Sequence, residues 1–242
     1  MSATHFIADL HLVDDHAPAA RRLAGYLAGP ARDADALYVL GDLFDVWIGD
    51  DGSTARHAAT LDAFRALADT GVPIYFMRGN RDFAVGPTFE ARSRLRIIDD
   101  PTVLTLYGVP TLLAHGDVFC SDDVAHQLFR AKYTDARWRE RRLALPLWLR
   151  RVVARRARRR SAAAKTTKPA YIMDVNRTTV AAMAAEYDVA RIIHGHTHRP
   201  ADHDDGIARH VLADWRPDRA EVLVVDRNGI RRAPLGAGGG FA

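Results

Sequence analysis

Five times along this chain a short apolar run stops abruptly at Gly, Asp, Asn or His. The stretches are "THFIADLH" (4–11), "ALYVLGD" (36–42), "VPIYFMRGNRD" (72–82), "VPTLLAHGD" (109–117) and "ARIIHGHTH" (190–198). Short apolar runs bounded by turn residues read as strands buried on both faces, as in the parallel sheets of α/β proteins. Between them, "APAARRLAGYLAG" (17–29) and "STARHAATLDAFRALADTG" (53–71) read as helices. The second opens on a Ser/Thr cap and closes at Gly71. A hairpin about Gly108-Val109-Pro110 and closing strands in "IARHVLAD" and "AEVLVVDRNG" add an antiparallel part. The expected fold is therefore an α/β arrangement of mixed sheets with helices outside. Ligands of open α/β sheets bind beyond the carboxyl ends of strands. All five polar ends lie there, so they can converge on one site.

Residues 121–185 break the pattern. They carry no clear strand, but long helical composition rich in Arg, Ala, Leu and Trp. We read them as a helical insertion lying over the sheets, dividing a core of 1–120 and 186–233. Residues 234–242, "PLGAGGGFA", are expected to form a disordered tail. The chain of 242 residues suffices for one large domain with an insertion. "MSATHFIADLHLV" places His5, Asp9 and His11 where a signal peptide needs unbroken apolar residues. No run reaches the ~18 apolar residues of a membrane span. The one cysteine, Cys120, excludes an internal disulfide and reads as a small core residue. These features favour the cytoplasm.

The net charge of +4 is unevenly spread. Residues 150–160, "RRVVARRARRR", hold seven arginines and no acid, whereas aspartates crowd "DLHLVDD", "GDLFDVWIGDD" and "SDD". One part is suited to cations and another to an anion. An Arg run beside Trp also occurs in nucleic-acid binders, but no nucleic-acid fold signature accompanies it, and no nucleic-acid partner is expected.

The strand ends supply Asp9, His11, Asp42, Asn80, His115, His196 and His198 as donors. None is a thiolate, so the set suits divalent Mn, Fe or Zn rather than a cysteine-built structural site. Seven donors exceed what one ion needs. Two ions sharing a carboxylate would use them, and Asp42 is the natural bridge. Such pairs of ions clamp both ends of an in-line phosphoryl displacement.

Taken in order, D-x-H at Asp9 and His11, Gly41-Asp42, Gly79-Asn80-Arg81-Asp82, His115-Gly116-Asp117 and Gly195-His196-Thr197-His198 resemble the motif series of the calcineurin-like metallophosphoesterases. The resemblance spans residues 9–198. It implies a sandwich of two mixed β-sheets flanked by helices. It implies that Asp9, His11, Asp42 and His198 hold one ion and Asp42, Asn80, His115 and His196 the other, with Asp42, Asn80, Arg81 and His115 catalytic. Water activated by the ions would be the nucleophile. His194 stands one step outside the pattern and is expected to be structural.

Many members of that family carry His after Gly-Asn, placed to protonate a leaving group; here Arg81 occupies that position. Arginine stays protonated and is a poor proton donor, but it stabilises charge on a transferring phosphoryl group. A phosphate leaving group needs no proton. The expected substrate is therefore a pyrophosphate rather than a simple phosphomonoester. "ADLHL", "GDLFDVWIGDD", "GNRDF", "AHGDVFCSDD", "IMDVN" and "IHGHTHRP" resemble the branch of the family that cleaves a lipid-linked sugar nucleotide, a diacylated UDP-glucosamine, in lipid A synthesis. That resemblance implies two Mn2+ ions, with Fe, Co or Zn as alternatives, and substrate contacts from Asn80, Arg81, Asp123, Ser161, Lys165, Lys168 and His196. Lys165 stands where Asn or Thr is commoner. It also implies a helical lid at 121–185 whose arginines meet the anionic inner-membrane surface, the protein being peripheral on its cytoplasmic face. The alternative is a family member acting on another nucleotide pyrophosphate or a phosphodiester.

Overall fold

The computed structural model describes residues 3–167, 169, 172–204 and 206–242, without the side chains of 160–167. Eleven strands form two sheets among the described residues. The first has the order β11-β10-β1-β2-β3-β4, from Gly229–Pro234, Glu221–Asp226, Ala3–Ile7, Ala36–Leu40, Ile74–Met77 and Arg96–Ile98. The second has the order β5-β6-β7-β9-β8, from Thr102–Leu106, Val109–Ala114, Arg191–His194, Ala208–Val211 and Ala201–Asp204. β1 to β4 run parallel, as do β6, β7 and β9, while β10, β11, β5 and β8 join antiparallel. Both sheets are mixed, as expected.

The strand period of two sorts the side chains between layers. On β2, Leu37 and Val39 face one way with Ile74 and Phe76 of β3; on that side lie Leu23 and Tyr26 of α1 (Pro18–Ala28), then, past the short α2 (Asp50–Ser53), Leu61 and Phe64 of α3 (Ala58–Ala68) and Phe89 of α4 (Pro87–Ser93). Phe6, Leu40 and Met77 face the other way and meet Leu113 and Ile193 of the second sheet. Leu112, Ala114 and Ile192 point outward from that sheet, onto Val180, Met183 and Ala184 of α8 (Arg177–Glu186). The layers are helix, sheet, sheet, helix. Strands buried on both faces account for the unbroken apolar runs.

Several expectations change in detail. α3 begins at Ala58, and neither Ser53 nor Thr54 caps it. Asp15 does so from a distant loop, its carboxylate accepting the N–H groups of Ala59 and Thr60 at 2.8 and 3.0 Å. The hairpin turn is Tyr107-Gly108, both with positive φ, and Val109 and Pro110 already belong to β6. β4 and β8 have no sequence counterpart. β8 is "ADHD", without an apolar alternation, and is held by its pairing to β9.

The described residues of 121–185 form four helices joined by turns: α5 (Val124–Tyr133), α6 (Ala136–Leu143), α7 (Leu147–Thr167) and most of α8. α8 nevertheless covers the outer face of the second sheet, so it belongs to the sandwich rather than to an excursion from it. α5 and α6 seat on Phe83, whose ring lies 5.4 to 5.9 Å from those of Tyr133, Trp138 and Phe129. α7 seats on the loop after β2. A Cβ on Gly49 would lie 2.3 Å from Arg150 Nη1, and one on Gly52 would lie 2.5 Å from Leu147 Cδ1. Arg150 donates to the Ile48 carbonyl at 2.5 Å and pairs with Asp51. Among the described residues no helix is long and apolar enough to cross a membrane.

The tail is not the disordered segment expected. Leu235 is buried, Phe241 stacks edge-on to His5 at 5.9 Å, and Gly236 and Gly240 bond each other across a turn. That turn lies directly on Gly25 of α1, where a Cβ would come within 1.9 Å of the Gly238 carbonyl oxygen. Gly25→Ala should therefore lower the melting temperature of the full chain, because overpacking of this kind costs about 1–3 kcal/mol. In a chain ending after Leu235 the same change should raise it, since Ala is favoured over Gly in a helix by about 1 kcal/mol. Thermal melts of the four proteins check both signs.

Candidate metal centre

Three of the five strand ends deliver their side chains through left-handed backbone. Asp9, His11, Asp42, His196 and His198 all have φ between 48° and 69°, the left-handed region. For non-glycine residues this region is uncommon, and Asp and His are among those that tolerate it. The turns lock into one another. The Asp9 carboxylate accepts the His196 N–H at 2.7 Å, and the Asp42 carboxylate accepts the Arg81 N–H at 2.9 Å. Backbone and side chain come too close there for a Cβ. One on Gly79 would lie 2.3 Å from Asp42 Oδ1, and one on Gly195 would lie 2.4 Å from Asp9 Oδ2.

Two groups of donors result. In one, His11 Nε2 and His198 Nε2 are 3.0 Å apart, with Asp9 Oδ1 at 3.9 and 3.5 Å from them. In the other, His115 Nε2 faces Asn80 Oδ1 at 3.1 Å, His196 Nδ1 at 3.2 Å and Asp42 Oδ1 at 3.8 Å. Asp42 lies between the groups, its second oxygen 3.9 Å from His11 Nδ1. His115 Nδ1 donates to the Leu40 carbonyl at 2.9 Å. When the ring is neutral, Nε2 is therefore the unprotonated nitrogen, turned toward the other acceptors as in ligating histidines.

These contacts fit a cation. A ring proton satisfies one acceptor-to-acceptor contact at a time, whereas an ion satisfies a whole set. Asp9 Oδ1 and His11 Nδ1 are buried without a hydrogen-bond partner among the described residues. Asp9 with His11 and His198, and Asp9 with Asp42 and His115, each bring ligand atoms within 4.8 Å of one another. The electrostatics agree. Burial opposes a charge on His115, but the facing Asp42, Asp117 and Asp9 carboxylates push it up to about 9. Burial likewise opposes ionisation of Asp9, yet the facing His198 and the nearby His115 and His11 imidazoles hold its carboxyl well below the usual range. Burial instead lowers His11 and His196, which favours their neutral, ligating form.

The other residues singled out in the sequence take varied places. His194 is fully buried; its Nδ1 donates to the Gly195 carbonyl at 2.9 Å and its Nε2 accepts from Arg209 at 3.1 Å. Burial holds it near 3, so it is a neutral prop under the Gly195 turn. Arg81 lies beside Asp42, Nε to Oδ2 at 3.4 Å. Asp123 caps α5 by accepting the His126 N–H at 3.1 Å. The side chains of Ser161 and Lys165, and all of Lys168, lie outside the described residues.

Three further aspartates support the centre. Asp82 accepts the N–H groups of Gly79, Asp42 and Phe44 at 2.9, 3.3 and 3.2 Å, tying the second and third strand ends together. Burial and the neighbouring Asp42 push it up to about 7. Asp117 binds His126 at 2.9 Å and Tyr133, fastening α5 to the strand end that bears His115. Asp214 lies 3.5 Å from His198 Nδ1. Asp82 and Asp117 stand inside the quoted motifs, so their place was visible but not their task. Asp214 follows a strand as Asp9 and Asp42 do, and that repetition is its only sequence signal.

Fold and donors together define a metal-dependent phosphoesterase. The chain belongs to the calcineurin-like phosphoesterase family, whose model matches residues 4–200. Three relatives carry the name UDP-2,3-diacylglucosamine hydrolase. That of Nitrosococcus oceani is 49% identical over 218 residues, 88% of this chain and 87% of its own. That of Chromobacterium violaceum is 45% identical over 236 residues, 97% of this chain and 99% of its own. That of Shigella dysenteriae is 43% identical over 227 residues, 92% of this chain and 95% of its own.

Elemental analysis after loading with Mn2+ and desalting tests the separation of the three histidines in "HGHTH". His196→Ala and His198→Ala should each lose about one equivalent of metal, since each takes a candidate donor from a different one of the two groups. His194→Ala should retain nearly all of it, at a cost in stability.

Proposed function

We propose that this protein hydrolyses the pyrophosphate bond of UDP-2,3-diacylglucosamine, releasing UMP and 2,3-diacylglucosamine 1-phosphate (lipid X), a step of lipid A biosynthesis. The observation that carries this reading is likeness to hydrolases of that name over 87–99% of their own lengths. Arg81 supports it on chemical grounds. A guanidinium beside Asp42 cannot donate a proton at neutral pH but can neutralise a phosphoryl oxygen, which suits a phosphate leaving group.

Asp9, His11, Asp42 and His198 would hold one ion, and Asp42, Asn80, His115 and His196 a second, with Mn2+ the expected metal. Bound there, two divalent ions activate the attacking water and neutralise charge on the phosphorus centre. Asp42 offers one oxygen to each group of donors and so fixes their spacing. Leu40, through its carbonyl, keeps His115 in the tautomer that presents Nε2. Asn80 and Arg81 follow one another on one turn, so the phosphoryl group would meet an amide and a guanidinium side by side.

The helical insertion serves in this reading as a lid for the lipid end of the substrate. Leu128, Trp148 and Val153 are exposed apolar side chains on α5 and α7, amid arginines. Apolar side chains with cations suit acyl chains next to phosphate, and also the anionic cytoplasmic face of the inner membrane, where each cation contributes about 1 kcal/mol. Asp123, Ser161, Lys165 and Lys168 are the proposed substrate contacts of this part.

Incubating the protein with UDP-2,3-diacylglucosamine and Mn2+ should release UMP, and a chelator should stop it. Turnover of other UDP-sugars but not of this lipid would refute the substrate. Asp42→Ala should abolish turnover. Arg81→Ala should lower kcat roughly a hundredfold while changing KM much less, as expected for a group acting mainly in the transition state.

A further inference from the structure

Asp45 lies three residues beyond Asp42, on the same loop. Its backbone is fixed, the N–H donating to the Leu12 carbonyl at 3.0 Å. Its carboxylate is largely buried and receives two guanidinium groups from different parts of the chain. Arg81 Nη1 donates to Oδ1 at 3.0 Å, and Arg158 of α7 pairs with Oδ2. Arg81 is thereby held at two points, Nε beside Asp42 and Nη1 on Asp45. Among the described residues these side-chain contacts use only Nε and Nη1, leaving the two Nη2 donors for a ligand. A guanidinium is planar and rigid, so two anchored nitrogens fix the third. A side chain on four rotatable bonds has no such constraint by itself.

We propose that Asp45 is a positioning residue for the reaction: it holds the Arg81 guanidinium in the orientation that meets the phosphoryl group. Through Arg158 the same carboxylate ties α7 of the insertion to that guanidinium. This rests on the role proposed for Arg81. Positioning of this kind is costly to lose, since a misplacement of about 1 Å at a reacting centre can lower turnover roughly a hundredfold.

The test is a double-mutant cycle on the Mn2+-loaded protein, with UMP release, metal content and thermal melting measured in each variant. Asp45→Asn keeps the shape and removes the charge. It should lower kcat about tenfold or more, with KM within about threefold of the parent and metal content unchanged. In the Arg81→Ala background Asp45→Asn should have little further effect, because residues acting as a unit are not additive. Asp45→Glu keeps a carboxylate one methylene displaced and should recover part of the lost kcat; it carries the same readout if the amide variant does not fold. Full additivity of Asp45→Asn and Arg81→Ala, or loss of metal in Asp45→Asn, would overturn the proposal by making Asp45 a general support. Near-normal kcat in Asp45→Asn beside an impaired Arg81→Ala would overturn it while leaving Arg81 its role. Near-normal kcat in Arg81→Ala would overturn the reading of Arg81 itself and the proposal with it.

Discussion

Where the two sheets meet, His115 Nε2 faces Asn80 Oδ1 and His196 Nδ1, and His11 Nε2 faces His198 Nε2, all within 3.2 Å. Asp9 and Asp42 lie among these rings, buried almost completely. Removing the partner of a buried charge typically costs about 3–5 kcal/mol, so carboxylates in this position require positive charge nearby. Much of the surrounding architecture follows from that demand. Left-handed turns aim the side chains, glycines admit the carboxylates, and Asp82 collects the amide groups that the turns leave unpaired. The site is less a pocket in the sandwich than the joint by which its two sheets are held in register.

What could be read from the chain follows the range of the forces involved. Strands buried on both faces announce themselves as apolar runs, and their polar ends follow at once, so β1, β2, β3, β6 and β7 and all seven candidate ligands were legible. Elements formed by pairing alone were not. "ADHD" becomes a strand because β9 lies beside it, and α3 is capped by Asp15 from more than forty residues away. The glycine-rich terminus carries no apolar period either, and finds its order against distant residues, Gly25 of α1 and His5 of β1. Supporting aspartates such as Asp45 and Asp214 were illegible for the same reason. Their partners, Arg81 with Arg158 and His198, are distant in sequence, and a carboxylate's task is defined by its partner.

The helices after Cys120 are fastened to the sandwich by two unlike means. α5 and α6 use aromatic rings around Phe83 and the buried carboxylate of Asp117. α7 uses guanidinium groups laid on the loop that follows β2, Arg150 on Asp51 and Arg158 on Asp45. The first attachment combines an aromatic cluster with a carboxylate buried from solvent. The second pairs one largely buried charge with one exposed charge in each case, Arg150 with Asp51 and Asp45 with Arg158, so salt screens it more than the first.

The interlocking of the strand ends has a consequence in time as well as in space. Asp9 accepts its bond from His196 across 187 positions, and Trp215 in turn donates to the Asp9 carbonyl. Neither half of the chain can assemble the donor set alone. During synthesis the first ligand emerges long before its partner exists, and contacts of such long sequence separation form slowly. The centre can therefore mature only after both sheets are in place. Asp9, Asp42 and His115 form one group of donors within the first half of the chain, but His196 follows His115 by 81 residues, so the full set closes only with the second sheet.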